Sequence, residues 1–477
     1  DSVLYSSGGK WADNSNGRGA SLELIDPSQD NAYGGAWDAC DLSQKAAWVE
    51  LKCWITVPPG GIVGDSVIRF LPNETSEFLL DDVQLRFRGA GGNFISNGDF
   101  ETNTSPWIIQ GTLVRSVRTT VDKKVGNACL RVISSNPGDL RNNRLAIEIV
   151  PALTEGDYEL KMWVRWQSGS NMFVVCGYDG AFSHVFYMPL PRDLGTPGRE
   201  NSVTEALRTL HGSVNLGPII SNVTQDPVSP VGDQPVVITA QVTDSNGLQS
   251  VSIKYRLNTR IGEYETAVMT DDGESPDVWP GDNIWTGTVP GQSEWIEGSY
   301  TVVPFHINAT DTQSQRRTFP VGYESGDVPH LSLLYMISGD FAHAHGYQVP
   351  LPKHRLIMDR NTKEELETRF VQEDEKVFGS VVFEDQDVNP EIYHGVTIHY
   401  HGSPHNRPRK PNSININYPV DNKMHRVKKS RINRNGAYVN EAAAYYMISK
   451  VGTTIKKSAA GRYNLIRWEI DGWDQGN

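Results

Sequence analysis

Cysteine is scarce in this sequence, and the motifs that usually give cysteine a chemical role are missing. Four cysteines occur among 477 residues: Cys40, Cys53, Cys129 and Cys176. None lies in a CxxC, CxxCH or zinc-type Cys/His spacing, which argues against haem attachment and structural zinc. Their division into two close sets favours disulfides Cys40–Cys53 and Cys129–Cys176, and the alternative is buried free thiols.

Long apolar runs and an excess of basic residues are also missing. No stretch reaches the roughly 18 apolar residues of a membrane-spanning helix, so no membrane insertion is expected. The net charge of −13 argues against nucleic-acid binding, because phosphate contacts need clustered Lys and Arg. The chain starts at Asp1 without a signal peptide, which fits a processed secreted protein, and an extracellular or cell-surface location is expected.

Recognisable catalytic motifs are absent as well. The sequence shows no Ser–His–Asp or Cys–His arrangement, no paired-carboxylate glycosidase pattern and no glycine-rich phosphate loop. A glycosidase-like pair of carboxylates from distant parts of the sequence remains an alternative, because such a pair needs no local motif.

Turn-forming and aromatic residues, in contrast, are plentiful. The chain has 44 Gly, 27 Pro, 12 Trp and 18 Tyr, while 38% of its residues are hydrophobic. This texture favours several small β domains over one α/β enzyme, and the length corresponds to about three or four domains of roughly 100–200 residues. We expect a mainly β, multidomain fold of β-sandwich and jelly-roll type.

Hydrophobic periodicity divides the second half of the chain. Between 216 and 325, VVITAQV and SVSIKYRL flank an Asn246-Gly247 turn and SYTVVPFHINATD repeats the alternation, which predicts an immunoglobulin- or fibronectin-type sandwich. From 340 to 477, NTKEELETRFV and NEAAAYYMISKVG have the apolar spacing of helices. FGSVVFED, GVTIHYHGS and RYNLIRWEID are strand-like, so this segment is predicted as α+β.

The first 202 residues resemble two kinds of known module. SLELIDPSQDN followed by AWDACD resembles the core of a lamin-tail-like sandwich, and GTPGRENS at 195–202 resembles its closing signature. FLLDDVQL and ISNGDFE resemble strands of carbohydrate-binding jelly rolls, inserted between the two halves. The resemblance implies a lamin-tail-like start with jelly-roll strands in 1–90, and the remaining jelly roll with the lamin-tail-like end in 91–202.

The later segments resemble Ig-like and CotH kinase-like modules. TDDGESPDVWPGDN resembles the DDG…D…GD signature of certain Ig-like domains, and GVTIHYHGSPHNRP resembles a strand and turn of the CotH family. The order of all four modules is similar to that of large secreted or surface proteins of planctomycetes. In the CotH-like family a strand ending at an acidic position, here Glu469, closes the small lobe. The resemblance therefore implies a partial kinase-like domain without the carboxylates that phosphoryl transfer needs.

The acidic loop TDDGESPDVWPGDN is also the strongest metal candidate. It crowds oxygen ligands into a short stretch, and such oxygen cages suit Ca²⁺ in a structural role. The candidate ligands are Asp271, Asp272, Asp277, Asp282 and Asn283. The alternative is a loop that uses Asp and Gly for turn geometry. The jelly-roll resemblance implies a further calcium site near Asp81 and Asp82 or near Asp99 and Glu101.

One tryptophan lies on the polar face of a predicted strand. In YELKMWVRW, alternation places Trp163 between Lys161 and Arg165, opposite the apolar positions. A pyranose ring offers apolar C–H faces ringed by hydroxyls, so this tryptophan is a carbohydrate-binding candidate. Trp107 is a second candidate. The alternative is that Trp163 is covered by a neighbouring domain or by a stacked Arg165.

Histidine and basic residues cluster in the last segment. His394, His399, His401 and His405 suggest a metal cluster without a matching carboxylate, and His343 and His345 form a similar pair. The basic loop at 407–434 is a remnant phosphate site, a patch for an acidic partner, or a solvated loop.

Together these features favour a modular extracellular protein whose β domains bind polysaccharide or other surface proteins. One alternative is the leading part of a CotH-like protein kinase whose catalytic lobe is missing from this chain. Another is a subunit of an extracellular fibre or matrix that self-assembles by strand addition.

Overall fold

The chain divides into two compact units in a computed structural model. The structure describes residues 3, 11–61, 66–177, 181–212, 214–256, 264–291, 301–320, 332–337, 353–385, 388–402, 413–432, 467–470 and 473–474. The first unit comprises Asp1–Pro27, Asn31–Asn215 and Phe370–Lys376, and the second comprises Ser28–Asp30, Leu216–Arg369 and Val377–Asn477. Both are built mainly from β-strands, which confirms the predicted fold class.

The first unit is a sandwich of two five-stranded antiparallel sheets with a short two-stranded addition. Its strands are β1 (Leu22–Leu24), β2 (Trp37–Ala39), β3 (Val49–Val57), β4 (Val67–Pro72), β5 (Ser76–Phe87), β6 (Ile108–Gln110), β7 (Val117–Thr119), β8 (Cys129–Ser134), β9 (Arg144–Glu148), β10 (Gly156–Gly169), β11 (Met172–Gly177) and β12 (Phe182–Tyr187), and its helix is α1 (Ser202–His211). The first sheet has the order β3-β10-β5-β8-β7, and the second has the order β12-β11-β4-β9-β6.

Alternating apolar residues from both sheets fill one core between them. Ile55 on β3 and Leu160 on β10 meet Phe70 on β4 and Phe173 on β11 in this core. The core residues occupy every second position of these strands because successive side chains point to opposite faces. Both sheets combine strands from either side of residue 90, so the boundary predicted there falls inside one sandwich.

A buried carboxylate joins the two segments that flank the sandwich in sequence. Glu23 on β1 accepts hydrogen bonds from Thr196 Oγ1 at 2.7 Å and from the backbone N–H and hydroxyl of Ser202, each at 2.8 Å. Burial raises the pKa of Glu23, but these hydrogen bonds outweigh burial and hold it below its usual value. The segments that resemble a lamin tail are therefore adjacent in the fold, while the family assignment itself stays a prediction.

The second unit contains a sandwich where one was predicted for 216–325, extended past that bound by a strand at Leu333–Ile337. It also contains a larger sheet. The strands of its described residues are β13 (Ile219–Asp226), β14 (Val236–Thr243), β15 (Leu248–Tyr255), β16 (Glu265–Met269), β17 (Ile284–Val289), β18 (Thr301–Asp311), β19 (Arg316–Phe319), β20 (Leu333–Ile337), β21 (Lys353–Ile357), β22 (Val377–Asp385), β23 (Val388–Tyr400), β24 (Ile414–Asn417), β25 (Lys429–Ile432), β26 (Arg467–Ile470) and β27 (Trp473–Asp474), and its helix is α2 (Arg360–Thr368). Sheets β13-β14-β17 and β16-β15-β18-β19, the latter with β20 on β18, share one core.

The remaining strands of the second unit form a seven-stranded sheet of order β25-β24-β23-β22-β21-β26-β27. Helix α2 confirms the helix predicted in NTKEELETRFV, and its N-cap is Asp359, whose carboxylate accepts the N–H of Thr362 at 2.8 Å. The predicted helix in NEAAAYYMISKVG lies outside the described residues. Part of the basic loop at 407–434 is a hairpin, β24 paired with β25, which the sequence analysis missed.

No helix in the described part of the chain is long and apolar enough to cross a membrane.

Candidate functional site

The outer face of the first sheet carries an exposed tryptophan on β3. Cys53, Ile55 and Val57 point into the core of the sandwich, so Lys52 and Trp54 point outward. Trp54 is 58% exposed, an unusual degree for a residue of that size on a regular strand. Trp54 was not among the predicted site residues, because no face was assigned to β3 from the sequence. The alternation in VELKCWITV is the signal that identifies it.

Strand β10 presents a second tryptophan on the same face. Leu160, Met162 and Val164 lie in the core, while Lys161 and Trp163 lie on the outer face and are half-buried. The alternation read from YELKMWVRW is therefore confirmed for these positions. Trp163 lies in the interior of the sheet, because β10 is flanked by β3 and β5.

The pairing of β3, β10 and β5 orders these side chains into rows. The first row is Trp54, Glu159 and Arg86; the second is Lys52, Lys161 and Gln84; the third begins with Glu50 and Trp163. Trp54 and Trp163 therefore stand at opposite corners with the lysine row between them. At ~3.4 Å per residue and ~4.8 Å between strands, their Cα atoms are about 14 Å apart. We call this surface, formed by Trp54, Lys52, Glu159, Lys161 and Trp163, the tryptophan–lysine face.

Polar contacts stabilise parts of this face. Glu50 forms an ion pair with Lys161 at 3.7 Å. Gln84 accepts a hydrogen bond from Arg86 Nε at 2.9 Å and donates one to Asp82. The carboxylate of Glu159 lies near the turn at Gly89, next to the Trp54 ring. The face thus alternates aromatic, cationic and anionic groups.

The Lys124 ammonium, rather than Arg165, covers Trp163. The Nζ atom of Lys124 lies 4.2 Å from the Trp163 ring centroid, a cation–π distance. The alternation in YELKMWVRW predicted that Arg165 flanks the site or stacks on the tryptophan. Instead, Arg165 is buried and its guanidinium binds Asp122 at 2.6 Å and Gln44 at 3.1 Å. Arg165 therefore holds the sandwich together and does not offer a free cation to a ligand.

Trp107 was predicted as a second carbohydrate-binding residue and is a core residue instead. It is 7% exposed, its ring packs against Phe70 and Phe100 at centroid distances of 5.5 and 5.2 Å, and its Nε1 donates to the backbone oxygen of Asn97 at 3.0 Å. No platform for a sugar is available there.

The two predicted disulfides are not formed, since all four cysteines are buried free thiols. Cys129 lies on the first sheet and Cys176 on the second. The Cys129 thiol donates to the backbone oxygen of Asp122 at 3.0 Å, and the Cys40 thiol lies 3.5 Å from Ser202 Oγ. Burial raises the pKa of Cys53 to about 11 and that of Cys129 to about 12, which keeps both thiols protonated and unreactive.

The acidic loop uses its carboxylates to order its own backbone. Asp271 accepts N–H groups from Gly281, Asp282 and Asn283 at 2.8 to 3.2 Å. Asp277 is buried and accepts the Gly273 N–H at 2.6 Å. Asp272 and Asp282 each accept the N–H two residues further on. These bonds explain the residue types by turn geometry. Ca²⁺ binding here stays a prediction.

Two other predicted metal positions are organised in the same way. Asp81 is fully buried and accepts the N–H groups of Lys124 and Val125 at 2.8 and 2.9 Å. Glu101 accepts the N–H groups of Asn127 and Ala128. Burial raises the pKa of Asp81, whereas the bonds from Asn127 lower that of Glu101. Among the described residues, no three His, Cys, Asp or Glu side chains form a group suited to a metal.

Two of the histidines predicted as a cluster, His394 and His399, lie against different partners. His394 Nδ1 lies 2.9 Å from Ser380 Oγ on β22, whereas His399 Nε2 lies 3.1 Å from Asn415 Nδ2 on β24. Burial lowers the pKa of His394 to about 4. His343, His345 and His405 lie outside the described residues.

Comparison with known proteins assigns no family. No protein-family model matches the chain, and no curated protein matches it. Among solved structures, the chain is similar to the sporulation control protein Spo0M of Bacillus subtilis, at 8% identity and a TM-score of 0.15, over 49% of this chain and 97% of that one. A similarity at this level carries no argument about fold or function.

Proposed function

We propose that the first unit binds a polysaccharide chain on the tryptophan–lysine face. The observation that carries the proposal is the pair of tryptophans on one outer face of the first sheet, about 14 Å apart by strand geometry. The more exposed of the two, Trp54, is 58% accessible to solvent. The chain as a whole then acts as an extracellular binding protein.

Aromatic rings on a sheet suit an extended glycan for physical reasons. An indole buries a large apolar area against the C–H face of a sugar, and it does so with only two side-chain torsions to fix. Charged and amide groups beside the rings can bond the hydroxyls at the edge of each sugar. A spacing of about 14 Å corresponds to a few sugar units, so one chain can reach both rings.

The environment of Trp163 sets the geometry of binding. The Lys124 ammonium at 4.2 Å occupies one side of the ring, so a sugar either replaces Lys124 or uses the remaining edge and face. Trp54 has no cation–π partner among the described residues and provides the open platform. We therefore expect Trp54 to contribute more than Trp163 to affinity.

The direct test is affinity electrophoresis of the full chain through gels that contain single polysaccharides. Trp54→Ala is expected to weaken retardation by at least about tenfold, ~1.4 kcal/mol, and Trp163→Ala by less. Trp279→Ala is the matched control, because Trp279 is 69% exposed and lies in the second unit. Retardation that is absent for every polysaccharide, or unchanged in Trp54→Ala/Trp163→Ala, contradicts the proposal.

The extracellular location and structural Ca²⁺ stay predictions. The kinase-like and fibre-forming alternatives also stay predictions, and no contact among the described residues favours either over glycan binding.

A further inference from the structure

The centre of the tryptophan–lysine face holds two lysines directly opposite each other. Lys52 on β3 pairs with Lys161 on β10 in the antiparallel register. Side chains at opposed positions have Cβ atoms about 4.5–5.5 Å apart, and like charges at such positions are destabilising. The arrangement therefore weakens the sheet on its own.

Nearby acids compensate this charge only in part. Glu50 lies 3.7 Å from Lys161, and Glu159 lies in the neighbouring row with its carboxylate beside the Trp54 ring. No ion pair to Lys52 occurs among the described residues. The Lys124 ammonium above Trp163 adds a third positive charge to the same face. The excess is local, since the chain carries a net charge of −13.

The position of the pair relates it to the tryptophans. The row of Lys52 and Lys161 lies between the row of Trp54 and the row of Trp163. A chain that stacks on both rings must pass over both ammonium groups. A negative group on the middle sugars would meet two positive charges there and relieve their repulsion.

We propose that the polysaccharide is anionic, with a carboxylate or sulfate group held between Lys52 and Lys161. This inference rests on the proposed function, because it names the class of glycan for the same face. Carboxylates of uronic acids and sulfate esters share the required chemistry, namely oxygen acceptors with a full negative charge that form charge-assisted hydrogen bonds with ammonium groups.

Two pairs of polysaccharides test the charge while keeping the sugar chain similar. Polygalacturonate is compared with its methyl ester, and a sulfated carrageenan is compared with agarose. We expect the full chain to bind the anionic member of at least one pair about tenfold more tightly, and the pair that responds identifies the anion. Binding should weaken as the ionic strength rises from about 0.01 M to about 1 M, because the Debye length falls from about 30 Å to about 3 Å.

Variants locate the effect at the lysine row. Lys52→Met and Lys161→Met keep chain length but remove charge, and each is expected to reduce binding of the anionic polysaccharide about tenfold. Lys52→Arg should retain it. Arg192→Met is the control, because Arg192 is an exposed cation outside the sheets. Removing one of two repelling charges should leave the unfolding temperature unchanged or slightly higher, which separates lost binding from lost folding.

The outcomes distinguish this inference from the proposed function. One outcome is that charged and neutral polysaccharides bind equally, and that binding is unaffected by Lys52→Met but lost in Trp54→Ala. This result overturns the inference that the glycan is anionic, while the proposal of glycan binding stands. Absence of binding to all four polysaccharides overturns both. Binding of the anionic members that survives Trp54→Ala/Trp163→Ala also contradicts the proposed function, since charge alone then accounts for it.

Discussion

Each unit of this protein places two basic side chains opposite each other across neighbouring strands, in contrasting surroundings. In the first unit, Lys52 faces Lys161 on the outer face of a sheet. In the second, Lys254 faces His306 between β15 and β18, and His306 is only 5% exposed. A half-buried lysine therefore faces an exposed partner, Lys52, in the first unit and a buried partner, His306, in the second.

The pair in the second unit escapes repulsion because histidine can lose its proton. Burial, together with the nearby Arg316, Lys254 and Arg256, lowers the pKa of His306 to about 4. The pair therefore carries one charge near neutral pH. The pair in the first unit contains no histidine, since both of its members are lysines. We infer that an external anion relieves the repulsion in the first unit, where Glu50 pairs with Lys161 and Lys52 has no ion pair among the described residues.

Exchanging the residue types between the two pairs should give the largest change in the free energy of unfolding. His306→Lys places a permanent charge in a buried position, and we expect it to lower the free energy of unfolding by about 3–5 kcal/mol, the cost of an uncompensated buried charge. Lys161→His in the first unit should change it by less than about 0.5 kcal/mol. Chemical denaturation of both full-length variants measures the difference. Equal effects at the two positions would remove the contrast between the pairs.

Protonation of His306 should lower the free energy of unfolding at acidic pH, by a smaller amount than the His306→Lys substitution. Since the pKa of folded His306 lies near 4 and that of an unfolded histidine near 6.5, the unfolded chain binds more protons between these values. The stability from neutral His306 is therefore present above about pH 6.5 and is lost as the pH falls toward 4, by about 1–2 kcal/mol at about pH 5.

Hydrogen exchange of peptides from β18 measures this dependence in the intact chain. His354 and His394 also have pKa values lowered to about 4, so the parent must be compared with His306→Gln, which retains both. A parent and variant that lose protection in parallel as the pH falls would show that His306 is not the titrating group.

Converting the Lys52–Lys161 pair into an ion pair should give the smallest effect on stability, a slight increase, together with a loss of glycan binding. Lys52→Glu replaces repulsion by attraction to Lys161, which we expect to stabilise the chain by about 0.2–1 kcal/mol. The same change places a negative charge where an anionic sugar would bind and should abolish its binding. Differential scanning calorimetry and affinity electrophoresis measure the two effects. A variant that is less stable than the parent, or one that still binds, contradicts the inferred role of the pair.

The sequence was sufficient to predict the two sandwiches because apolar and polar residues alternate along several of their strands. The faces of β10 and β15 follow from one apolar residue at every second position, and the structure places Leu160 and Ile253 in the cores as expected. The hairpin of β24 and β25 was missed because basic residues surround its short apolar pattern, Ile414 and Ile416. In short strands of that kind, pairing with a neighbour decides the structure more than local periodicity does.

The candidate site was predictable only where alternation was strong. Trp163 was assigned to the correct face, and the same argument applied to β3 would have found Trp54. Trp107 lies in a loop, where no periodicity distinguishes core from surface, and its burial depends on contacts with Phe70 and Phe100 that are distant in sequence. The role of Arg165 depends on Asp122, more than forty residues away in a loop.

Hydroxyl-radical footprinting of the intact chain, with and without saturating polysaccharide, tests the central claim most directly. We expect oxidation of Trp54 and Trp163 to fall on ligand binding, with Trp279 in the second unit oxidised equally in both samples. Unchanged oxidation of Trp54 and Trp163 in a sample that binds the polysaccharide would show that the ligand occupies another surface, and the assignment of this face would be wrong.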